Sequence, residues 1–239
     1  MGTRGDVWVF GYGSLMWRPD FAFVERASAR LDGYHRCFCI TSTHHRGSAA
    51  RPGLVLGLDR GGSCLGVAYR VAASEAQAVR TTLRQRELIS GVYREAFPLV
   101  TLAGSKAYPE PRHVEALAFI VERAHPSYAG ALPLQQQACL IRGARGISGD
   151  NLDYLVNTVN HLRAVGIRER HLERLIALSA AHIAHLASLR RPDGLTSPCA
   201  TALRRVAARL PLPRKMRVKK LRPGDRRRFL YRVRLGADA

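Results

Sequence analysis

The sequence predicts an α+β fold in which helices pack on a sheet or a barrel. Segments with strand preferences occupy the first 123 of the 239 residues, with one clear helix among them. From residue 133 onward the apolar residues instead recur with helical spacing. Strands that are followed by helices are typical of an α+β domain, so these two observations together give the fold class.

Length and composition bound the class of protein further. A chain of 239 residues with 46% hydrophobic residues can bury a substantial core, so its bulk should be globular. No segment approaches 18 consecutive apolar residues, and the N-terminus lacks a signal-peptide pattern. We therefore expect a cytoplasmic protein without a membrane-spanning helix.

The net charge of +20 is concentrated at the C-terminus. Residues 191–239 hold fifteen Lys or Arg and three Asp, which gives them a net charge of +12. We divide the chain into a folded domain, residues 1–190, and a basic tail, residues 191–239, expected to be flexible or weakly helical. The tail could bind polyanions non-specifically. It holds only two aromatic residues that could stack on bases, so a nucleic-acid function is disfavoured and oligomeric state stays open.

Strands are predicted from the alternation of apolar residues and from their Gly and Pro boundaries. A polar loop from Thr43 to Gly53 and a hairpin turn from Asp59 to Ser63 separate three of them. Pro98 argues against regular pairing within the strand that contains it. The predicted strands are Val7–Phe10, Leu31–Thr43, Leu54–Leu58, Cys64–Val71, Val92–Leu102 and Val114–Val121.

Helices are predicted after the fourth strand and in the C-terminal half. Ser74–Gln77 has the form of a capping box and opens a helix that continues through Arg86. The later predicted helices are Pro133–Arg145, Asn151–Val165 and Arg168–Leu189, with Gly166 between the last two.

The loop after the first strand is the first candidate binding element. The strand runs directly into Gly11, Tyr12, Gly13 and Ser14. Glycine can adopt positive φ and lets a ligand approach the backbone closely. Exposed N–H groups around Gly13, Ser14 and Leu15 would suit a carboxylate or a developing oxyanion. A simple turn is the alternative interpretation of such a motif.

Glu87 is the most informative carboxylate in the sequence. It lies at the C-terminal end of the first predicted helix, where the macrodipole is negative, and apolar Leu88 and Ile89 follow it. Partial desolvation there should raise the pKa of this carboxyl group, which suits a general base. The alternative is a solvated surface glutamate that pairs with Arg84 or Arg86.

Other chemistries lack the residues that they require. Ser14 is not framed by the glycines of a nucleophile elbow. Met16 occupies the third glycine position of a dinucleotide fingerprint, and no Gly-Lys-Ser/Thr segment occurs, so nucleotide binding is disfavoured. The histidines lack further ligands at metal spacing, and the five cysteines include no C-x-x-C. We therefore expect buried free thiols, no metal and no cofactor.

Several of these segments together resemble the ChaC-like γ-glutamylcyclotransferases. The similarity runs from about Val7 to Leu189 in the family's order and leaves the basic tail without a counterpart. The segments that carry it are Val9–Trp17, Ser42–Gly47, Gly66–Val71, Arg86–Glu87 with Gly91–Tyr93, and Ser148–Leu155.

The resemblance implies a small mixed β-barrel with packed helices and an activity that cleaves glutathione to 5-oxoproline and Cys-Gly without metal or nucleotide. Glu87 would be the catalytic base. Other γ-glutamyl peptides or γ-glutamylamines remain alternative substrates for the same chemistry. The substrate would be contacted by Gly11, Tyr12, Gly13, Ser14, Leu15, Met16 and Tyr93.

Overall fold

The centre of the molecule is a closed, mixed β-barrel. The computed structural model describes residues 5–104 and 107–188, with side chains through residue 180. Strand β1 (Val7–Gly11) pairs antiparallel with β3 (Gly53–Val71) and parallel with β6 (Arg112–Val121). Because β1 contacts both partners, the sheet closes on itself.

Two further strands complete the barrel between β3 and β6. These are β2 (Glu25–Ser42) and β5 (Leu99–Leu102), which give the closed order β1-β3-β2-β5-β6. Strand β4 (Tyr93–Ala96) pairs with residues 118–121 of β6, beyond the stretch that pairs with β5. The predicted mixed barrel is confirmed.

Strands β2 and β3 form one long hairpin, and its connection is the predicted polar loop. β3 continues without interruption from Gly53 to Val71, so the predicted turn at residues 59–63 is wrong. Gly61 and Gly62 do have positive φ values of 102° and 67°, but they lie at a register shift opposite Gly33, whose φ is 83°. Adjacent glycines suit a β-bulge as well as a turn, and strand pairing decides between them.

The predicted strand Val92–Leu102 is divided into β4 and β5. Pro98 lies between them and has no N–H to donate to a ladder. Its carbonyl instead accepts a hydrogen bond from the Ala116 N–H at 3.1 Å. The two short strands therefore pair with successive parts of β6. This agrees with the prediction that Pro98 interrupts regular pairing in this segment.

Helix α1 (Ala76–Glu87) packs on the barrel next to the loop that follows β1. Its Val79 and Leu83 share a buried cluster with Val9, Leu15 and other apolar residues. The predicted capping box is wrong, because the residue that precedes α1 is Glu75 and no side chain caps the helix. Packing of the apolar face therefore fixes this helix and brings its C-terminal end to the loop.

Helices from the C-terminal half cover another side of the barrel. Asn151, which is fully buried, begins α3: its Nδ2 donates to the Leu54 carbonyl and its Oδ1 accepts from the Leu54 N–H, both at 2.7 Å. A tight two-stranded turn precedes α3. The elements are α2 (Leu134–Ile141), β7 (Arg145–Gly146), β8 (Gly149–Asp150), α3 (Asn151–Ala164) and α4 (Arg170–Ser188).

A buried arginine on β2 joins the barrel to its surroundings. The Arg36 side chain is fully buried, and its Nε donates to the carbonyl of Tyr12 in the loop after β1. Its Nη2 donates to the Leu65 carbonyl at 2.6 Å, and its Nη1 binds the Glu169 carboxylate at the start of α4. One guanidinium therefore connects the loop, β3 and the start of α4.

Several further expectations concern thiols, membranes and the tail. Cys39 and Cys64 are buried free thiols as predicted, whereas Cys37 is half-buried and Cys139 is exposed. Among the described helices, none has the length and apolar character needed to cross a bilayer. Cys199 and the predicted tail, residues 191–239, lie outside the described residues, so the boundary at residue 190 stays a prediction.

The ion cluster between α1 and β4 yields a test of acid stability. Arg84 and Arg80 each form two hydrogen bonds with the Glu95 carboxylate, and these bonds lower its pKa to about 2. The resulting stabilisation is fully present above about pH 4.5 and is lost as pH falls toward 2. We expect Glu95→Gln to lower the free energy of unfolding at pH 7 by roughly 1–3 kcal/mol.

The measurement is chemical denaturation at several pH values. The variant should also lose part of the steepness with which stability falls between pH 4.5 and 2. Glu115→Gln, at an exposed position on β6, is the matched control. Equal stability of Glu95→Gln and wild type at pH 7 would contradict the assignment.

Candidate active site

Glu87 is the last residue of α1, and its carboxylate is largely removed from water. Its side chain is 20% exposed, and burial raises the pKa of the carboxyl group, with the neighbouring Arg86 acting in the opposite direction. Arg84 pairs with Glu95, and among the described residues Arg86 is the ion-pair partner of Glu87, at 3.1 Å. The predicted desolvation and the predicted direction of the pKa shift are confirmed. The alternative is wrong in expecting a solvated side chain but right in expecting an ion pair with Arg86.

Three tyrosine side chains lie near enough to this carboxylate for its charge to act on their hydroxyl groups. Burial is the largest cause that raises the pKa of Tyr12, Tyr93 and Tyr154, and the charge of Glu87 raises each further. Tyr12 follows β1, Tyr93 begins β4 and Tyr154 lies in the first turn of α3. All three phenols are therefore neutral near pH 7, so they can donate or accept hydrogen bonds but cannot serve as bases.

The backbone of β3 anchors two of these tyrosines. The Tyr93 hydroxyl donates a hydrogen bond of 2.7 Å to the Leu56 carbonyl. A hydrogen bond with the Leu56 backbone also acts on the Tyr154 phenol, where it opposes the effect of burial on the pKa. The two rings consequently share one attachment point on the barrel.

The glycine loop lies against the same end of α1, but its conformation differs from the expectation. Neither Gly11 nor Gly13 has positive φ: Gly11 ends β1 opposite Val67, and Gly13 has a φ of −132°. That prediction is wrong because strand pairing fixes the first glycine. Gly11 is needed for space instead, since a Cβ there would lie 3.1 Å from the Leu15 Cβ.

The predicted loop residues divide into buried anchors and an exposed tip. Leu15 and Met16 are buried, and the Met16 carbonyl accepts a hydrogen bond of 2.8 Å from Tyr69. Ser14 is exposed and begins a 3-10 helix, Ser14–Met16, whose first N–H groups have no partner within the helix. The tip therefore offers backbone donors, whereas the side chains of Leu15 and Met16 hold the loop in place.

Arg86 fastens the loop to the end of α1. Its Nη2 donates to the Ser14 Oγ at 2.9 Å, and its Nη1 donates to the Arg18 carbonyl at 2.9 Å and to the Asp20 carboxylate at 3.0 Å. Asp20 has a φ of 59°, the only positive value among described non-glycine residues. These contacts set the position of the loop relative to Glu87.

Two residues at this site were missed in the sequence. Tyr154 lies in a resembling segment, but its neighbours form an apolar stripe that indicates core packing. Arg46, half-buried in the loop between β2 and β3, lies over the Tyr154 ring with 4.9 Å between its Cζ and the ring centroid. Burial lowers the pKa of Arg46. Arg46 lies within Ser42–Gly47, one of the segments that resemble the family, and this resemblance was the sequence feature that could have identified it.

Elsewhere in the described structure, three potential metal ligands lie together. The Cys37 and Cys39 sulfurs and an Asp59 oxygen are within 4.8 Å of one another. Both Asp59 oxygens already accept hydrogen bonds of 2.7 Å, from Arg123 and from the Tyr128 hydroxyl. Because the carboxylate is paired with a cation, it is a poor ligand for a metal ion.

The barrel has the γ-glutamylcyclotransferase fold. A crystal structure of a γ-glutamylcyclotransferase specific to glutathione from yeast matches it with a TM-score of 0.64 at 23% identity, over 74% of this chain and 99% of that one. The family model described as ChaC-like protein matches residues 7–182. The chain belongs to the ChaC-like family.

Curated relatives agree with this family assignment. The glutathione-specific γ-glutamylcyclotransferase of Escherichia coli (strain K12) is 36% identical over 195 residues, which cover 82% of this chain and 80% of the relative. Glutathione-specific γ-glutamylcyclotransferase 1 of Homo sapiens is 36% identical over 179 residues, which cover 73% of this chain and 79% of the relative.

Burial of the Glu87 carboxylate should lower the stability of the folded protein at pH values where this group is ionised. Because the native state raises the pKa of this carboxyl group, stability falls as pH rises above about 4.5 and stays lower once the native carboxyl is ionised. Glu87→Gln should therefore unfold at a higher temperature than wild type at pH 7 and at a similar temperature at pH 4.

Thermal unfolding at the two pH values measures this difference. Glu75→Gln, an exposed position just before the same helix, serves as control and should show no such pH-dependent gain. A Glu87→Gln variant that loses stability at pH 7 relative to pH 4 would argue against a desolvated carboxylate.

Proposed function

We propose that the protein is a glutathione-specific γ-glutamylcyclotransferase that converts glutathione to 5-oxoproline and Cys-Gly. Membership of the ChaC-like family and the names of the 36%-identical relatives support the reaction and the substrate. The observation that carries the mechanism is the desolvated Glu87 carboxylate among neutral phenols. It is the group in this cluster whose chemistry suits the transfer of a proton from an amine.

The reaction needs a base because of the substrate's own amine. The α-amine of the γ-glutamyl group must attack the γ-carbonyl to close a five-membered ring, and with a pKa of about 8 it is mostly protonated at pH 7. Glu87 takes this proton and later gives it to the departing cysteinyl nitrogen. Binding the chain in a curled form supplies the orientation that an intramolecular attack needs.

The glycine loop and Arg46 supply groups that complement the negative charges of the substrate and of the reaction intermediate. Backbone N–H groups of Gly13, Ser14 and Leu15 hold the substrate carboxylate or the tetrahedral oxyanion. Tyr12 and Tyr93 orient the γ-glutamyl group through their hydroxyl groups. Arg46, a half-buried cation at the Tyr154 ring, pairs with a carboxylate of the peptide.

The first test concerns the base. Glu87→Gln keeps the size and hydrogen-bonding capacity of the side chain but cannot accept the amine proton, so turnover should fall by at least about a hundredfold. Release of 5-oxoproline and Cys-Gly from glutathione is followed by mass spectrometry.

Glu75→Gln is the control and should retain wild-type turnover. The same assay with γ-glutamylcysteine and a γ-glutamylamine tests specificity, and both should give much less 5-oxoproline than glutathione. Full activity of Glu87→Gln would remove Glu87 from the mechanism, and no 5-oxoproline from any substrate would remove the function.

A second test separates the charge of Arg86 from its contacts. The cation of Arg86 lowers the pKa of Glu87, so Arg86→Met should raise that pKa and move the acid limb of kcat/KM to higher pH. Arg86→Lys keeps the charge but not the three-way contact with the loop. Its acid limb should stay near that of wild type while KM rises.

The pH profile of initial rates provides the measurement for both variants. Gln85→Met, on the exposed face of the same helix, is the matched control and should follow wild type. An acid limb that stays in place in Arg86→Met would show that Arg86 does not tune Glu87.

A further inference from the structure

Two cysteines on β2 lie near Tyr12 and Tyr93 and have no role in the proposed mechanism. The sulfurs of Cys37 and Cys39 are within 4.8 Å of each other, and the pKa of Cys39 is raised first by a thiol hydrogen bond with Cys37 and then by burial. We propose that Cys37 and Cys39 form a redox-active pair that closes to an intramolecular disulfide when glutathione disulfide accumulates.

The backbone of β2 is irregular at this pair. Cys37 and Phe38 lie opposite Gly57 and Leu56, whereas Ile40 lies opposite Val55, so Cys39 is the additional residue of a β-bulge. In a regular strand the Cα atoms of residues i and i+2 are about 6.6 Å apart, near the upper limit for a disulfide. A bulge bends the strand and so relaxes this constraint.

The two thiols differ in access. Cys37 is half-buried and lines a cleft of about 420 Å³ together with His35, Glu169 and His171. Cys39 is 1% exposed and does not line this cleft. An external disulfide therefore reaches Cys37, and Cys39 is placed to resolve the product.

The thiol exchange balances with glutathione disulfide as the oxidant. The Cys37 thiolate attacks one sulfur of glutathione disulfide, and one glutathione leaves. Formation of this mixed disulfide removes the thiol hydrogen bond that is the largest cause of the raised pKa of Cys39. The Cys39 thiolate then attacks the Cys37 sulfur, and the second glutathione leaves. Two protein thiols are oxidised and one glutathione disulfide is reduced.

Cys39 is also coupled to the candidate site through β3. A Cβ on Gly57 would lie 2.7 Å from the Cys39 sulfur, so this sulfur packs directly on the strand. The preceding residue is Leu56, whose carbonyl holds the Tyr93 hydroxyl. Moving the Cys39 sulfur toward Cys37 changes this packing, and oxidation should lower turnover.

Peptide mass spectrometry tests the covalent step without any activity assay. The full-length protein is incubated with glutathione disulfide, denatured in the presence of iodoacetamide so that every free thiol is blocked, and digested with trypsin, which cleaves after Arg36 and Arg46. Peptide 37–46 then contains both cysteines and should be found unblocked and lighter by two hydrogens than its dithiol form. Peptide 124–142, which contains exposed Cys139, is an internal control and should carry one glutathione.

Variants assign the two roles. Cys39→Ser should trap one glutathione on peptide 37–46, and Cys37→Ser should leave Cys39 unmodified. Recovery of peptide 37–46 with both cysteines blocked, while Cys139 carries glutathione, would overturn the proposal. Glutathione on Cys39 in the Cys37→Ser variant would overturn the assigned order of attack.

The effect of the disulfide on turnover rests on the proposed function and is measured in a separate experiment. Turnover of the reduced enzyme is measured first, so a failure of the proposed function is seen before any oxidation. At fixed glutathione concentration, raising the share of glutathione disulfide should then lower the initial rate by roughly tenfold in wild type and leave Cys37→Ser unchanged. An oxidised peptide 37–46 with an unchanged rate would refute the coupling.

Discussion

The fully buried guanidinium of Arg36 is the interaction on which the arrangement of the site depends. A buried charge is tolerated only when its hydrogen-bonding capacity is satisfied, and removal of a partner typically costs about 3–5 kcal/mol. Arg36 meets this condition through the Tyr12 and Leu65 carbonyls and the Glu169 carboxylate. The loop after β1, the long hairpin and the start of α4 are therefore fixed relative to one another by one side chain.

The candidate base is placed by a second set of constraints. Apolar packing of α1 on the barrel brings Glu87 to the glycine loop, and the contacts of Arg86 with Ser14, Arg18 and Asp20 hold the loop there. Desolvation disfavours the ionised carboxylate, and the adjacent cation partly offsets this effect. The site thus keeps a carboxylate that is less acidic than a surface glutamate at some cost in stability, which is common where a proton must be transferred.

Strand β3 links this site to the thiol pair. The carbonyl of Leu56 accepts a hydrogen bond from Tyr93. The sulfur of Cys39 packs against the next residue, Gly57. A glycine is required at this point because any Cβ would occupy the space of that sulfur and of the Val121 side chain. The same short segment therefore determines both the position of the phenols and the environment of the cysteines.

The sequence by itself determined the α+β class with strands before the C-terminal helices, the end of α1 near Glu87 and the glycine loop, because these features follow from local periodicity, residue type and a set of ordered motifs. Its local signals could not distinguish a bulge from a turn at Gly61 and Gly62, since both use positive φ. Tertiary structure alone decided that β1 pairs with β6, that Arg36 is buried and that Tyr154 lies near enough to Glu87 to feel its charge. Each of these depends on contacts between residues far apart in the chain, which no local pattern specifies, although Arg36 shares its strand parity with buried Phe38.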